Sequence, residues 1–231
     1  MSEGSERNSK PAASLAKAFI AVVVFALVLF LSAGTLRWPM GWVWVGIAAT
    51  STLIVALLAD PALLRQRTQV EQAGAERWDI PLALIVGRIG PIAMLLVAGL
   101  DRRFGWSSPT PPALLILAFA LLAVGYAVSD WAVIVNRFFA PVVQIQREQG
   151  HMVVTGGPYR WVRHPGYAGS VLVYVATPLI LGSRWAMIPA ALTILVVIIR
   201  TALEDRTLRE KLPGYAEYAA RVRWRLLPGV W

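Results

Sequence analysis

Long apolar runs separated by short polar segments dominate this chain and predict a bundle of membrane-spanning helices. Four such runs precede residue 136; the first two contain no charged side chain, the third contains Arg88 and the fourth contains Asp130. The runs are 18–36, 41–59, 80–100 and a fourth from about 111 to 135. A helix needs about 20 predominantly apolar residues to cross a bilayer, so each run is long enough to span.

Two shorter apolar runs, 166–183 and 185–199, follow and predict a helical hairpin that is tilted or crosses the membrane only in part. The last segment, 200–231, is amphipathic and basic, which predicts a helix leaving the membrane. Pro213-Gly214 should break it before a second short helix at 215–225. The chain is therefore expected to be an all-α integral membrane protein with about five to six transmembrane helices and a C-terminal helical hairpin.

The same pattern divides the chain into three regions. Residues 1–14 are polar and predict a disordered tail, and 15–135 hold the N-terminal transmembrane helices. The third region, 136–231, begins with a polar stretch, 136–165, that contains both histidines and is too long for a simple connector. Long irregular loops in compact proteins are usually functional or disordered, and the aromatic and aliphatic content of this one argues against disorder.

Composition narrows the classes of function. The 231 residues are 57% hydrophobic and 15% charged, against about 25% charged in soluble domains. The net charge of +9 does not indicate nucleic-acid binding, because no stripe of basic residues interleaved with aromatics is present. There are no cysteines, which excludes disulfides, a thiolate nucleophile and cysteine-ligated metal. Two histidines are too few to build most metal sites alone, so we expect no metal site.

The basic residues predict the orientation. They collect at the N-terminus, in 60–79, in 136–165 and at the C-terminus, whereas the intervening loops carry one or two. Arg and Lys accumulate in cytoplasmic loops, so we expect a multi-pass protein with both termini in the cytoplasm. The absence of a cleavable signal and the basic inner loops suit a bacterial inner membrane, and an endoplasmic reticulum membrane would give the same pattern.

Charged residues near or within the apolar runs are candidates for function. Arg200 and Glu204 are four residues apart and therefore share one helix face at the inner end of the last apolar run. On spacing alone, an ordinary interfacial ion pair with Arg200 snorkelling explains them better than a functional site does. Arg88 and Asp130 lie inside the third and fourth predicted helices, and we expect them to form a structural pair.

A set of motifs in 136–231 resembles the isoprenylcysteine carboxyl methyltransferase family and its bacterial and phospholipid-methylating relatives. Each motif is weak alone, but their order and spacing fit throughout. They are Gln144, His151-Met152-Val153-Val154-Thr155, Gly157-Pro158-Tyr159-Arg160, Arg163-His164-Pro165-Gly166-Tyr167, Arg200-Thr201-Ala202-Leu203-Glu204-Asp205, Gly214-Tyr215-x-x-Tyr218 and Arg225-x-x-Pro228. One departure is that the family often has Glu-Glu where this chain has Glu204-Asp205.

The resemblance implies an S-adenosylmethionine site, formed by a loop and helices on the cytoplasmic side, and methyl transfer to a lipophilic acceptor delivered from the bilayer. It assigns Arg200 to the acceptor, and Arg200 and Glu204 together to catalysis. The residues that it assigns to the cofactor are Gln144, His151, Met152, Val153, Val154, Tyr159, His164, Pro165, Gly166, Tyr167 and Glu204. An acceptor carboxylate is already ionised at neutral pH, so it would need no general base.

Three alternatives stay open on the sequence. The acceptor could be a prenylcysteine carboxylate, which the Arg200 assignment favours, or a lipid amine. The region could instead bind a nicotinamide cofactor, as in membrane sterol reductases, with Arg160 and Arg163 at a 2′-phosphate. It could also be a non-catalytic scaffold. The Gly-rich fingerprint of dinucleotide sites is absent, and the oligomeric state is not predicted.

Overall fold

The structure, a computed structural model, describes residues 19–59 and 75–231. The predicted tail 1–14 and most of the loop 60–79 lie outside these residues. Within them, the regular structure is helical, apart from one isolated antiparallel bridge between Ala75 and Gln144. The α-helices are α1 (Phe19–Ala33), α2 (Pro39–Leu58), α3 (Asp79–Phe104), α4 (Pro112–Val135), α5 (Pro165–Ile180), α6 (Met187–Lys211) and α7 (Tyr215–Arg221).

Four helices, α2, α3, α4 and α6, are long and apolar enough to cross a membrane, and α1 and α5 are shorter apolar helices. The predicted all-α membrane fold is confirmed. The C-terminal hairpin differs from the prediction in one respect, because the apolar run 185–199 and the polar residues after it form a single helix of 25 residues. The polar end of α6 therefore continues rigidly from the membrane into the region where the candidate site lies.

Small residues bring α4 and α5 into close antiparallel contact. A Cβ atom added to Gly125 would lie 2.8 Å from the carbonyl oxygen of Gly169, and one added to Gly169 would lie 2.3 Å from Ser129 Oγ. Small residues at helix contacts in membranes let backbones approach closely. This contact holds the start of α5, which carries part of the site, against the C-terminal half of α4.

A buried carboxylate joins the loops at the opposite end of the bundle from the site. Asp101 accepts hydrogen bonds from the Ser107 backbone N–H at 2.8 Å, from Ser107 Oγ at 2.6 Å and from Ser183 Oγ at 2.5 Å. These bonds join the α3–α4 connection to the α5–α6 connection. These hydrogen bonds pair the buried Asp101 carboxylate with groups of the two connections, so its role is structural.

Helix α3 contains a π-helical turn, Ile85–Ile89. Tyr174 on α5 donates its hydroxyl to the carbonyl oxygen of Val86 at 2.5 Å. The next residue after the turn, Gly90, packs so tightly on α6 that an added Cβ would lie 2.2 Å from Thr193 Oγ1. The turn is therefore held by contacts with two neighbouring helices.

The predicted pair of Arg88 and Asp130 is wrong. Asp130 accepts hydrogen bonds from Ser51 Oγ at 2.9 and 2.8 Å, whereas Arg88 is exposed on the π turn. The charged residue of α3 that forms a buried ion pair is Asp79, which directly precedes the predicted third run and pairs with Arg200.

Candidate active site

A cavity where α4 ends, α5 begins and α6 ends collects most of the residues singled out in the sequence. It is partly open to solvent and is lined by both polar and apolar side chains, as small-molecule sites commonly are. The segments that line it are 136–144, 151–159, 163–167, the C-terminal part of α6, Leu212 and α7.

Ten of the predicted site residues line this cavity. They are Gln144, His151, Met152, Val153, Val154, Tyr159, His164, Gly166, Tyr167 and Glu204. Two do not. Pro165 is buried at the first position of α5, where its ring suits the start of a helix, and Arg200 lies one turn of α6 closer to the membrane centre than Glu204. The roles assigned to all these residues remain predictions.

Glu204 supplies a carboxylate to the cavity wall. The Tyr167 hydroxyl donates to its Oε2 at 2.5 Å, and His164 Nδ1 lies 3.9 Å from its Oε1. The His164 and Tyr167 rings are stacked with their centroids 5.9 Å apart. The Glu204 side chain is 21% exposed, so it keeps acceptor capacity for a ligand that carries a positive charge or hydroxyls.

The next residue, Asp205, is fully buried and organises the polar wall. It accepts from Arg163 Nε and one terminal nitrogen at 2.6 and 3.1 Å, and from the Tyr215 hydroxyl at 3.0 Å. His164 Nε2 lies 3.4 Å from the same carboxylate. Two more arginines, Arg209 and Arg225, reach it at 3.1 Å. The acid that appears as a departure from the family pattern thus joins α5, α6, α7 and the C-terminal segment.

Arg200 is buried in an ion pair that the sequence analysis missed. Its Nε donates to Asp79 Oδ1 at 2.6 Å and its Nη2 donates to Asp79 Oδ2 at 2.8 Å. Nη2 also donates to the Pro141 carbonyl oxygen at 2.7 Å, and the Val143 N–H donates to Asp79 Oδ2 at 2.7 Å. Two of the three guanidinium nitrogens are therefore committed. A sequence signal for this pair exists. An arginine at membrane depth needs a charged partner, and Asp79 is an acid that directly precedes an apolar run.

The opposite wall is apolar and aromatic. His151 stacks on Phe138 with ring centroids 4.6 Å apart, and the Gln146 N–H donates to His151 Nδ1 at 3.3 Å. Accepting at Nδ1 puts the ring proton of a neutral imidazole on Nε2. Burial lowers the pKa of His151, which favours that neutral form. The backbone carbonyl of Phe138 accepts from Gln146 Nε2 at 2.9 Å.

Tyr159 lines the cavity, but its hydroxyl is bonded to other protein groups and is not free for a ligand. Its hydroxyl accepts from Asn136 Nδ2 at 3.0 Å and donates to the Ala132 carbonyl oxygen at 3.3 Å. Tyr218 on α7 donates to the Tyr159 carbonyl oxygen at 2.6 Å. Burial raises the pKa of Tyr159, so it stays protonated. Asn136 and Phe138 line the cavity but belong to none of the motifs, whereas Tyr215 and Tyr218 belong to a motif but were not assigned to the site.

Among the residues that the structure describes, no group of three or more His, Cys, Asp or Glu side chains is placed to hold a metal ion. Arg163, one of the arginines considered for a 2′-phosphate, has no free edge: besides its contacts with Asp205, its Nη1 donates to the carbonyl oxygens of Val222 and Arg223 at 2.8 and 2.7 Å. The other, Arg160, stacks over Trp161 at 4.0 Å and does not line the cavity.

Comparison with known proteins gives a consistent set of relatives. The family model for phospholipid methyltransferases matches residues 113–213. A probable protein-S-isoprenylcysteine O-methyltransferase of Oryza sativa subsp. indica is 33% identical over 66 residues, 28% of this chain and 35% of that protein. Protein-S-isoprenylcysteine O-methyltransferase B of Arabidopsis thaliana is 33% identical over 89 residues, 38% of this chain and 45% of that protein. These matches thus span less than half the length of the curated relatives.

A solved structure shares the fold. The eukaryotic intramembrane Ras methyltransferase ICMT matches with a TM-score of 0.55 at 18% sequence identity, over 90% of this chain and 74% of the other. Because it covers 90% of this chain, the likeness extends to the N-terminal helices.

Proposed function

We propose that this chain, which these relatives support as a member of the isoprenylcysteine carboxyl methyltransferase family, is a membrane-embedded S-adenosylmethionine-dependent methyltransferase. Its acceptor is lipophilic and carries a carboxylate, as in prenylcysteine carboxyl methylation. One observation carries the proposal: Glu204, Tyr167 and His164 meet on the polar wall of a cavity whose other wall is aromatic and aliphatic. A ligand with a charged amino-acid end and a flat heterocycle suits such a cavity.

The charges of the wall fit the methyl donor. Arg200 is paired with Asp79, and Arg163 is paired with Asp205, so Glu204 is the carboxylate with remaining acceptor capacity on the α6 side of the cavity. We propose that Glu204 and Tyr167 hold the ammonium or ribose hydroxyls, and that the aromatic wall at Phe138 and His151 takes the adenine by stacking. S-adenosylmethionine would supply an electrophilic methyl group there.

The chain's own contribution to the reaction would be alignment and exclusion of water. An ionised carboxylate acceptor needs no proton removed, so catalysis comes from holding the reacting groups in line in a site shielded from solvent. Arg200 could hold the acceptor by two hydrogen bonds only if its pair with Asp79 opened. With that pair intact, the third guanidinium nitrogen, Nη1, is the one free of these contacts, and we propose that Arg200 orients the acceptor through it.

The reductase alternative lacks the site that it needs. Both arginines considered for a 2′-phosphate are engaged elsewhere, Arg163 with Asp205 and backbone carbonyls, and Arg160 with Trp161. The names of the relatives are those of methyltransferases. We further propose that the cavity faces the cytoplasm, that both termini lie on that side, and that the membrane is a bacterial inner membrane.

Calorimetric titration of the detergent-purified protein with S-adenosylmethionine, and separately with NADPH, tests the proposal. We expect saturable binding of S-adenosylmethionine and none of NADPH. Glu204→Ala should weaken binding by about tenfold to a hundredfold, because hydrogen bonds to a charged group contribute about 1.5–3 kcal/mol. Glu210→Ala is the matched control, since Glu210 is an exposed glutamate on the same helix. Binding of NADPH alone, or of neither ligand, would reject the methyltransferase.

The acceptor is tested by product chemistry. The protein is incubated with labelled S-adenosylmethionine and either an N-acylated S-farnesylcysteine or phosphatidylethanolamine. A methyl ester releases methanol in base, whereas an N-methyl group is stable. We expect base-labile label on the farnesylcysteine; stable label on the phosphatidylethanolamine would instead identify a lipid amine as the acceptor.

A further inference from the structure

Arg88 lies on the outer surface of a helix that is long and apolar enough to cross the membrane. Its side chain is exposed, and it forms no hydrogen bond or ion pair with any residue that the structure describes. The neighbouring apolar side chains Leu84 and Ile89 are 44% and 50% exposed. In a bilayer this surface faces lipid, so the guanidinium has neither water nor a protein partner among the described residues.

The position of Arg88 along α3 places it in the leaflet next to the cavity. The helix has 26 residues and is therefore about 39 Å long at 1.5 Å per residue. A hydrocarbon layer of about 30 Å centred on it leaves about 4–5 Å at each end. Arg88 is nine residues from Asp79, which marks the cavity end, so its Cα lies about 9 Å below the hydrocarbon boundary. From that depth the long side chain can extend to the headgroups of the same leaflet.

The backbone around Arg88 is held in place by contacts with two neighbouring helices. The π turn that carries Arg88 is fixed by the hydroxyl of Tyr174 and by the packing of Gly90 on Thr193, and π turns are frequent at functional sites. Ionisable residues in membranes usually face the bundle interior and pair there. The acid that the sequence analysis expected as the partner of Arg88, Asp130, is bonded to Ser51 instead.

We propose that Arg88 is a binding site for the phosphate group of an anionic phospholipid in the leaflet that adjoins the cavity. A planar guanidinium matches phosphate oxygens with two parallel hydrogen bonds. The exposed side chains of Ile80, Leu84 and Ile89 provide apolar surface for the acyl chains. Every exposed neighbour of Arg88 within one turn of α3 is apolar or glycine, so no nearby carboxylate on the helix repels the headgroup. This site does not depend on the methyltransferase assignment.

Native mass spectrometry of the full chain, released from micelles that contain equal amounts of phosphatidylglycerol and phosphatidylcholine, tests the proposal. We expect the wild-type protein to retain phosphatidylglycerol preferentially. Arg88→Gln should lower that preference about fivefold, the effect of one basic residue near an anionic membrane surface. Arg102→Gln is the control, because Arg102 is also an exposed arginine on α3 but lies at the opposite end; it should leave this preference unchanged.

Two further arms complete the test. Arg88→Lys keeps the charge but not the paired donors, so we expect an intermediate preference. Inorganic phosphate added in excess should not displace the lipid, because a free anion lacks the acyl chains that contact Ile80, Leu84 and Ile89. If Arg88→Gln folds poorly, Arg88→Leu replaces it, since leucine is favourable at a lipid-facing position. An unchanged preference in the neutral variants, an equal loss in Arg102→Gln, or displacement by inorganic phosphate would each overturn the proposal.

Discussion

The two walls of the cavity are stabilised by different interactions, charged hydrogen bonds in one and stacking with neutral hydrogen bonds in the other. The wall formed by α6 carries Arg200, Glu204 and Asp205, and each of the three makes charged hydrogen bonds to other segments. The facing wall, formed by the loop that follows α4, relies on the stacking of His151 on Phe138 and on bonds between neutral groups. Charged bonds are individually stronger than neutral ones, so the α6 wall is expected to be the more rigid.

The comparison also shows that the loop wall depends on the α6 wall. The Pro141 carbonyl and the Val143 N–H are both bonded to the Arg200–Asp79 pair, and Tyr218 bonds the Tyr159 carbonyl from α7. Changes to the charged wall should therefore disturb both walls, whereas changes to the loop wall should stay local. The predictions below test this asymmetry.

The largest effect is expected for Asp79→Ala. It leaves the Arg200 guanidinium, whose side chain is 6% exposed, without its counterion and frees the Val143 N–H. Removing one partner of a buried pair costs about 3–5 kcal/mol of folding free energy. The measurement is the unfolding free energy in a fixed detergent, together with the affinity for S-adenosylmethionine, which should fall because the 141–143 segment loses its attachment.

The double variant Asp79→Leu/Arg200→Leu separates the charge effect from a general loss of packing. Replacing both members of a buried pair by apolar residues is often neutral, so we expect it to be more stable than Asp79→Ala. It should nevertheless lack methyl transfer to the acceptor. If the double variant is as unstable as the single one, the pair does not act as an ion pair, and the asymmetry between the walls has another cause.

A smaller effect is expected for Asp205→Asn. The carboxylate has more donors than Asp79, but Arg209 and Arg225 are 43% and 31% exposed at their side chains and can return to water. The main loss is the charged contact to buried Arg163, so we expect about 2–3 kcal/mol. Binding of S-adenosylmethionine should weaken as well, since a neutral amide oxygen holds His164 and Tyr215 less firmly than the carboxylate does.

The control for this variant is Glu210→Gln. Glu210 forms an exposed pair with Arg206 on the same helix, and such pairs contribute little to stability, so its unfolding midpoint should match that of the wild type. A loss in Asp205→Asn as large as in Asp79→Ala would show that solvent access of the arginines does not distinguish the two acids.

Local signals predicted the bundle well. The fourth apolar run was expected to begin near Pro111-Pro112 and to reach Val135, and α4 runs from Pro112 to Val135. Proline is tolerated in the first turn of a helix, and an apolar run has a length that can be read directly. The motifs likewise identified most of the cavity lining, because they lie in segments that fold next to each other.

Pairings between distant segments were not predictable in the same way. Asp79 and Arg200 are 121 positions apart, and their contact depends on how α3 packs on α6. The π turn has the same origin, since it is stabilised by Tyr174 and by the contact of Gly90 with Thr193, neither of which has a local signature. Residue type suggested Arg88 and Asp130 as partners. In the structure Asp130 is bonded to Ser51 and Arg88 is exposed, because the rotation of each helix directs the two side chains to different surroundings.

The smallest effect is expected in the loop wall, and it depends on pH. Burial lowers the pKa of His151 in the folded protein, whereas in the unfolded chain it is about 6.5. Below pH 6.5 the unfolded state therefore binds more protons than the folded state, so stability is present above that pH and is lost as the pH falls through the folded pKa. Protonation would also remove the acceptor for the Gln146 N–H and place a cation near Arg137, whose guanidinium lies 4.6 Å from the Phe138 ring.

The measurement is the unfolding midpoint of wild type and His151→Phe between pH 8 and pH 5. Phenylalanine keeps the stack on Phe138 but does not titrate, so the difference between the two proteins isolates His151. We expect the wild type to lose stability relative to the variant as the pH falls, while the Asp79 and Asp205 variants keep their order at every pH. A difference that is constant with pH would mean that His151 is not held neutral by burial. The loop wall would then owe its order to the charged wall alone.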